Sequence, residues 1–105
     1  MILVDISDET TKYILTAELQ NGDLVVSASD FSPSVKDTFG TDEYEYWYIV
    51  KAQEIWRLSH ALGCTQAQLL EKLRDLLAPH GYTASTHYKA WLVEKLIPYS
   101  FTRWK

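Results

Sequence analysis

The side chains able to do covalent chemistry are few and scattered. His60 and Cys64 stand four residues apart, a spacing that on one continuous helix would bring an imidazole beside a thiol. Gly63 lies between them, and glycine there predicts a helix stop that separates the pair. A thiolate nucleophile also needs a base, an orienting partner and oxyanion donors, so Cys64 reads as a small residue at a helix–helix corner. His60, His80 and His87 could meet a metal with Glu54 or Glu71 only through tertiary folding, since no HExxH or CxxC spacing is present. The four glycines, Gly22, Gly40, Gly63 and Gly81, are dispersed and each reads as a turn or a helix stop, so no phosphate-cradling loop is predicted. The expectation is a non-enzymatic chain with no catalytic residue, no metal and no cofactor.

Carboxylates next to aromatics are the more informative pattern. Glu43-Tyr44-Glu45-Tyr46-Trp47-Tyr48-Ile49-Val50 is aromatic and β-branched with period two, the signature of a strand. One face of it is Tyr44, Tyr46, Tyr48 and Val50; the other is Glu43, Glu45, Trp47 and Ile49. Two carboxylates are not buried unpaired, so the tyrosine face is expected inward and Trp47 outward beside the acids. As acid–base catalysts, Asp42, Glu43 and Glu45 would need a cleft and further ligands, which the sequence does not show. As a binding surface they need only exposure. An outward Trp flanked by acids suits an interface hot spot, because aromatics bury large area with few torsions to freeze. A loop or the closing strand covering Trp47 is the competing expectation. The candidate partner-binding residues are Asp37, Asp42, Glu43, Glu45 and Trp47, and Trp104 is a second aromatic outside the expected core.

The charge is unevenly placed. The net formal charge is −4, but residues 1–50 hold ten carboxylates and two lysines, a balance of −8, while residues 51–105 hold eight Lys or Arg and four acids, a balance of +4. Solvated helix faces richer in lysine would explain this, and so would an acidic surface meant for a basic partner, which speeds encounter and repels nucleic acid. Binding to DNA or RNA is not expected, since no basic patch is concentrated anywhere. Hydrophobic residues at 47% and charged residues at 23% describe a soluble globular chain and exclude disorder. At 105 residues a single domain over 1–105 is expected, large enough to fold without disulfides. No apolar run suits a membrane span, and Met1-Ile2-Leu3-Val4-Asp5 lacks the basic start of a signal peptide. With one cysteine, the expected compartment is the cytoplasm.

Turn chemistry and periodicity supply the elements that position these residues. Asn21-Gly22 is a strong type I′ hairpin signal. It pairs Leu19 with Leu24, Ala17 with Val26 and Leu15 with Ala28, three apolar pairs on one face, against a mostly polar Thr16, Glu18, Val25 and Ser27 on the other. Ile2, Val4 and Ile6 alternate on a first strand that would set Ile6 beside Tyr13 and Val4 beside Leu15. Residues 30–42 form a long connection in which Ser32-Pro33 could start one helical turn, packed by Phe31, Val35 and Phe39. Helical spacing follows over Ala52, Ile55, Trp56, Ser59 and Leu62. Thr65 to Gln68 matches a capping box ahead of the stripe Leu69, Leu70, Leu73, Leu76 and Leu77, ended by Pro79 to Gly81. A further helix from about Ser85 or Thr86 is expected to bury Tyr88, Trp91, Leu92 and Leu96 and to stop before Pro98. Tyr99 to Trp104 reads as a closing strand. The fold class is therefore α+β: an antiparallel sheet of about four to five strands with three helices on one face, in the order β-β-β-β-α-α-α-β.

Ala28-Ser29-Asp30-Phe31-Ser32-Pro33-Ser34-Val35, followed by Asp42-Glu43-Tyr44-Glu45-Tyr46-Trp47-Tyr48, resembles a group of small bacterial proteins. That group shares a "D-hydrophobic-x-P-x-V" loop and an "EYEY/W" strand. Ala61-Leu62-Gly63 and Ile97-Pro98-Tyr99-Ser100-Phe101 match its helix end and its closing segment. In size and style these proteins are similar to immunity proteins of bacterial toxin systems. That resemblance implies an inhibitor that binds a cognate toxin domain, a basic nuclease for example, and it brings no catalytic residues. The alternative is an interaction or assembly subunit that recognises a non-toxin protein or itself, so self-association stays open.

Overall fold

A computed structural model describes residues 1–7, 9, 11–31 and 43–103. Asp37, Asp42, Trp104 and the Ser32-Pro33 turn lie outside the described residues, as does the 32–42 connection as a whole.

The chain is α+β. Five antiparallel strands, β1 (Ile2–Ser7), β2 (Lys12–Gln20), β3 (Asp23–Phe31), β4 (Glu43–Val50) and β5 (Ser100–Arg103), lie side by side in chain order. Between β4 and β5 run the helices α1 (Ile55–Leu62), α2 (Leu69–Leu77) and α3 (Ala84–Glu94), linked by short 3-10 turns.

The Asn21-Gly22 turn sets the register as expected. Both residues have positive φ, 54° and 87°, and the strands pair Leu19 with Leu24, Ala17 with Val26 and Leu15 with Ala28. β3 then pairs Val26 with Tyr48 and Ala28 with Tyr46. The inward face of the sheet thus carries Tyr13, Leu15, Ala17, Leu24, Val26, Ala28, Tyr46, Tyr48 and Val50, all buried in one cluster with Leu58, Leu69, Leu73, Leu77, Tyr88 and Leu92 from the helices. Asp23 ties the hairpin to the helical half: its carboxylate accepts from the Ala52 backbone N–H at 2.8 Å and meets Lys51 at 3.5 Å.

Three expectations about the core are corrected. Ile2 does not share a face with Val4 and Ile6. The β1–β2 register shifts between Ile2 and Val4, so the extra residue of a bulge turns Ile2 outward, 57% exposed, and buries Leu3 instead. Trp56 holds helical spacing with Ile55 but lies on the solvent side of α1, where Ile55 and Leu58 face inward. Leu96 is 79% exposed rather than buried, because α3 ends at Glu94 and the chain turns through a left-handed Leu96 (φ 57°) that delivers Ile97 to the core. The Thr65–Gln68 capping box forms as read from the sequence.

Candidate functional site

The outer face of the sheet, the one turned from the core cluster, holds the sequence-predicted residues that the structure describes. Trp47 pairs with Ser27 on β3 and with Thr102 on β5, and Glu45 pairs with Ser29. These neighbours are small, so among the described residues nothing paired with Trp47 on the flanking strands is as tall as the indole. The result is a shallow hollow of about 140 Å³ lined by Ile14, Thr16, Ser27, Ala28, Ser29, Glu45 and Trp47. Ser29 Oγ donates to Glu45 Oε1 at 3.4 Å, which leaves most of the carboxylate's acceptor capacity for another group. Both Glu45 and Trp47 are partly buried. Glu43 occupies the register position opposite Phe31 at the start of β4. Asp37 and Asp42 are not described, so the structure brings together Glu45 and Trp47 of the five candidates and sets Glu43 on the same strand.

Within its described residues the closing strand joins the sheet edge and puts Thr102 opposite the indole. Asp5 and Glu18 lie at outward positions opposite Ile14 and Val25, both exposed. Among the described strand residues on this face, Lys12 is the one cation. Sequence reading missed Ile14, Thr16, Ser27 and Ser29 as the floor. Their cross-strand pairing was already implied by the Asn-Gly turn, but no short turn in the sequence fixes the β3–β4 register that brings Trp47 above them.

The tyrosines of β4 face the other way and serve the fold. The Tyr46 hydroxyl bonds Ser85 Oγ at 2.7 Å, and the Tyr13 hydroxyl accepts from the Ser85 backbone N–H at 3.2 Å. Burial pushes the Tyr46 phenol well above its usual range, opposed in part by the Ser85 bond, and burial raises Tyr48 and Tyr88 as well. These groups stay neutral at ordinary pH and hold no charge for chemistry.

Gly63 ends α1 in the left-handed conformation (φ 66°), with the Gly63 and Cys64 N–H groups bonded to the His60 and Ser59 carbonyls. The helix therefore stops between His60 and Cys64. His80 and His87 stack face to face with ring centroids 3.7 Å apart, and among the described residues no three of His, Cys, Asp and Glu gather as a metal set.

No family model, no curated protein and no solved structure matches the chain.

Proposed function

We propose that this chain is a non-enzymatic binding protein, an inhibitor of the immunity-protein type, that docks a basic toxin domain on the outer face of its sheet. One observation carries the reading: Trp47 and Glu45 border a single hollow, floored by small side chains, on the sheet face opposite the core. A protruding basic side chain of the partner would enter that hollow, lie against the indole and reach the Glu45 carboxylate. Three helices stacked on the inward face leave the outward one for the partner, and acids outnumber bases on it, so encounter is steered toward a positive surface. In this reading the protein acts in the cytoplasm, beside the toxin it blocks, and Asp37, Asp42 and Glu43 belong to the same partner-binding set.

The test is affinity capture of the tagged chain from its native cell in moderate salt, followed by binding measurements on the identified partner with Trp47→Ala and Glu45→Lys. A basic toxin domain whose activity falls on binding, and whose affinity drops in both variants, is the expected result. A non-toxin protein captured through the same residues would assign the chain to an assembly role instead. Unchanged binding in both variants would remove the sheet face from consideration.

A further inference from the structure

Two adjoining rows of the sheet build the hollow beside Trp47. Across β2, β3 and β4 they read Ile14–Ser29–Glu45 and Thr16–Ser27–Trp47, and every one of these residues lines it. β3 runs between the two walls, which at ~4.8 Å per strand stand roughly 10 Å apart. The floor is low only over the two serines. Val25 and Phe31, the next outward register positions along β3 in either direction, are large. The result is a short slot and not an open groove. Its volume of about 140 Å³ is well under the ~300–1,000 Å³ of sites that enclose a whole small molecule, and it suits one side chain.

The walls differ in chemistry. Ile14 offers apolar surface for a stem and Trp47 a flat ring, with the Glu45 backbone position roughly 7 Å along the strand. Ser29 Oγ donates to Glu45 Oε1 at 3.4 Å, which ties the carboxylate to the slot and leaves acceptor capacity for a ligand. The molecule carries a filled version of this set elsewhere. On α1 the Arg57 guanidinium packs 4.6 Å from the centre of the Trp56 ring while its Nε donates to Glu54. In the slot the ring and the carboxylate are present without the arginine, and among the described residues no ion pair engages Glu45.

We infer that the slot is an arginine site, which takes one guanidinium of the partner protein and selects it over lysine. This rests on the sheet face being the binding face and adds which side chain that face selects. The stem lies on Ile14, the planar head stacks against the indole, and its in-plane N–H groups reach Glu45 and the serine hydroxyls together. A lysine ammonium matches the charge, but it is a compact, more strongly hydrated ion without a flat face, so it gives up more solvation and gains less from the ring. Charge around the slot attracts a cation of either kind: Asp5 extends the Glu45 row and Glu18 lies beyond Thr16, both exposed, against Lys12. Charge supplies the attraction, and the ring and the slot's shape supply the selectivity.

The probes are two peptides of equal charge, an octapeptide of alternating Gly and Arg and its Gly-Lys counterpart. Each is titrated by NMR into the isotope-labelled full-length chain, where the Trp47 indole N–H is the signal missing from Trp47→Phe. Expected is binding of the Arg peptide tighter by about fivefold or more, with a shift of that indole signal. Glu45→Gln should weaken the Arg peptide by about fivefold or more through loss of the charged acceptor. Ser27→Leu is decisive because it fills the floor and leaves Trp47 and Glu45 in place. The Arg preference should then fall below about twofold while the Lys peptide binds as before. Trp47→Leu, which removes the ring without adding bulk, should show the same loss of preference, so the test does not hang on one variant folding. Equal affinity of the two peptides for the parent, an Arg preference that survives both Ser27→Leu and Trp47→Leu, or no binding of either peptide would overturn the arginine site. The inhibitor reading falls on a different result, a captured partner that binds Trp47→Ala and Glu45→Lys like the parent.

Discussion

Trp47 and Glu45 meet the same hollow but should act on different steps of binding. Trp47→Ala removes a large planar contact, and against the captured partner it is expected to raise the off-rate and cost about 2 kcal/mol or more, read from dissociation kinetics. Tyr88 offers a test of the fold at the same scale. Its hydroxyl is buried without a hydrogen-bond partner among the described residues, and burial holds its phenol far above the usual value of 10.0. A raised folded-state value means that the unfolded chain releases the proton first, so stability is full below the unfolded value and falls as pH climbs above it. The parent should therefore lose stability above pH ~10. Tyr88→Phe should be neutral or stabilising at pH 7, because an unsatisfied buried donor is removed, and its alkaline loss should be shallower in denaturant titrations against pH.

At the scale of elements, the hairpin and α2 carry the clearest consequences. Gly22 sits at φ 87° and a Cβ there would come to 3.1 Å from the Ala52 Cβ, so Gly22→Ala meets backbone strain and a tight contact. It should destabilise by more than ~1 kcal/mol in thermal or urea unfolding. Leu73 is fully buried in the core cluster, and Leu73→Ala should cost ~2–5 kcal/mol through the cavity it leaves. A loss under about 0.5 kcal/mol would mean that this stripe of α2 does not face the sheet. The hairpin register was legible because an Asn-Gly turn and an alternating apolar pattern agree, and a slip of one residue would turn Leu15, Ala17, Val26 and Ala28 to water. Ile2 and Leu96 were not legible. A bulge and a left-handed helix end each reverse a side chain's direction without changing the residue pattern.

Across the whole molecule, residues 1–50 are acidic and residues 51–105 basic, and the hollow beside Trp47 is lined by residues of the first stretch. Glu43→Lys with Glu45→Lys moves the net charge from −4 to 0 and sets repulsion where the sheet face would attract. Association with a basic partner should slow markedly, most at low salt, since exposed charges act on encounter and are screened over roughly 8 Å at physiological ionic strength. Thermal stability should hardly move, because carboxylates on a solvated strand face contribute little to folding. The pair of measurements is stopped-flow association across a salt series and a melting curve of the same variant. Equal salt slopes for parent and variant would take the acids of β4 out of the binding surface.

By itself the sequence determined the α+β class, the antiparallel hairpin and the outward side of β4. Each follows from a local rule: positive φ at a two-residue turn, period-two patterning, and the cost of burying two carboxylates. The break between His60 and Cys64 was likewise written in Gly63. Only the tertiary structure decided what surrounds Trp47. The height of its neighbours depends on the β3–β4 and β4–β5 registers, and no short turn signal in the sequence fixes either of them. It also decided that Trp56 and Leu96 stand in solvent. Helical spacing says which residues share a stripe, but only the packing of α1 and α3 against the sheet says where that stripe stops being buried.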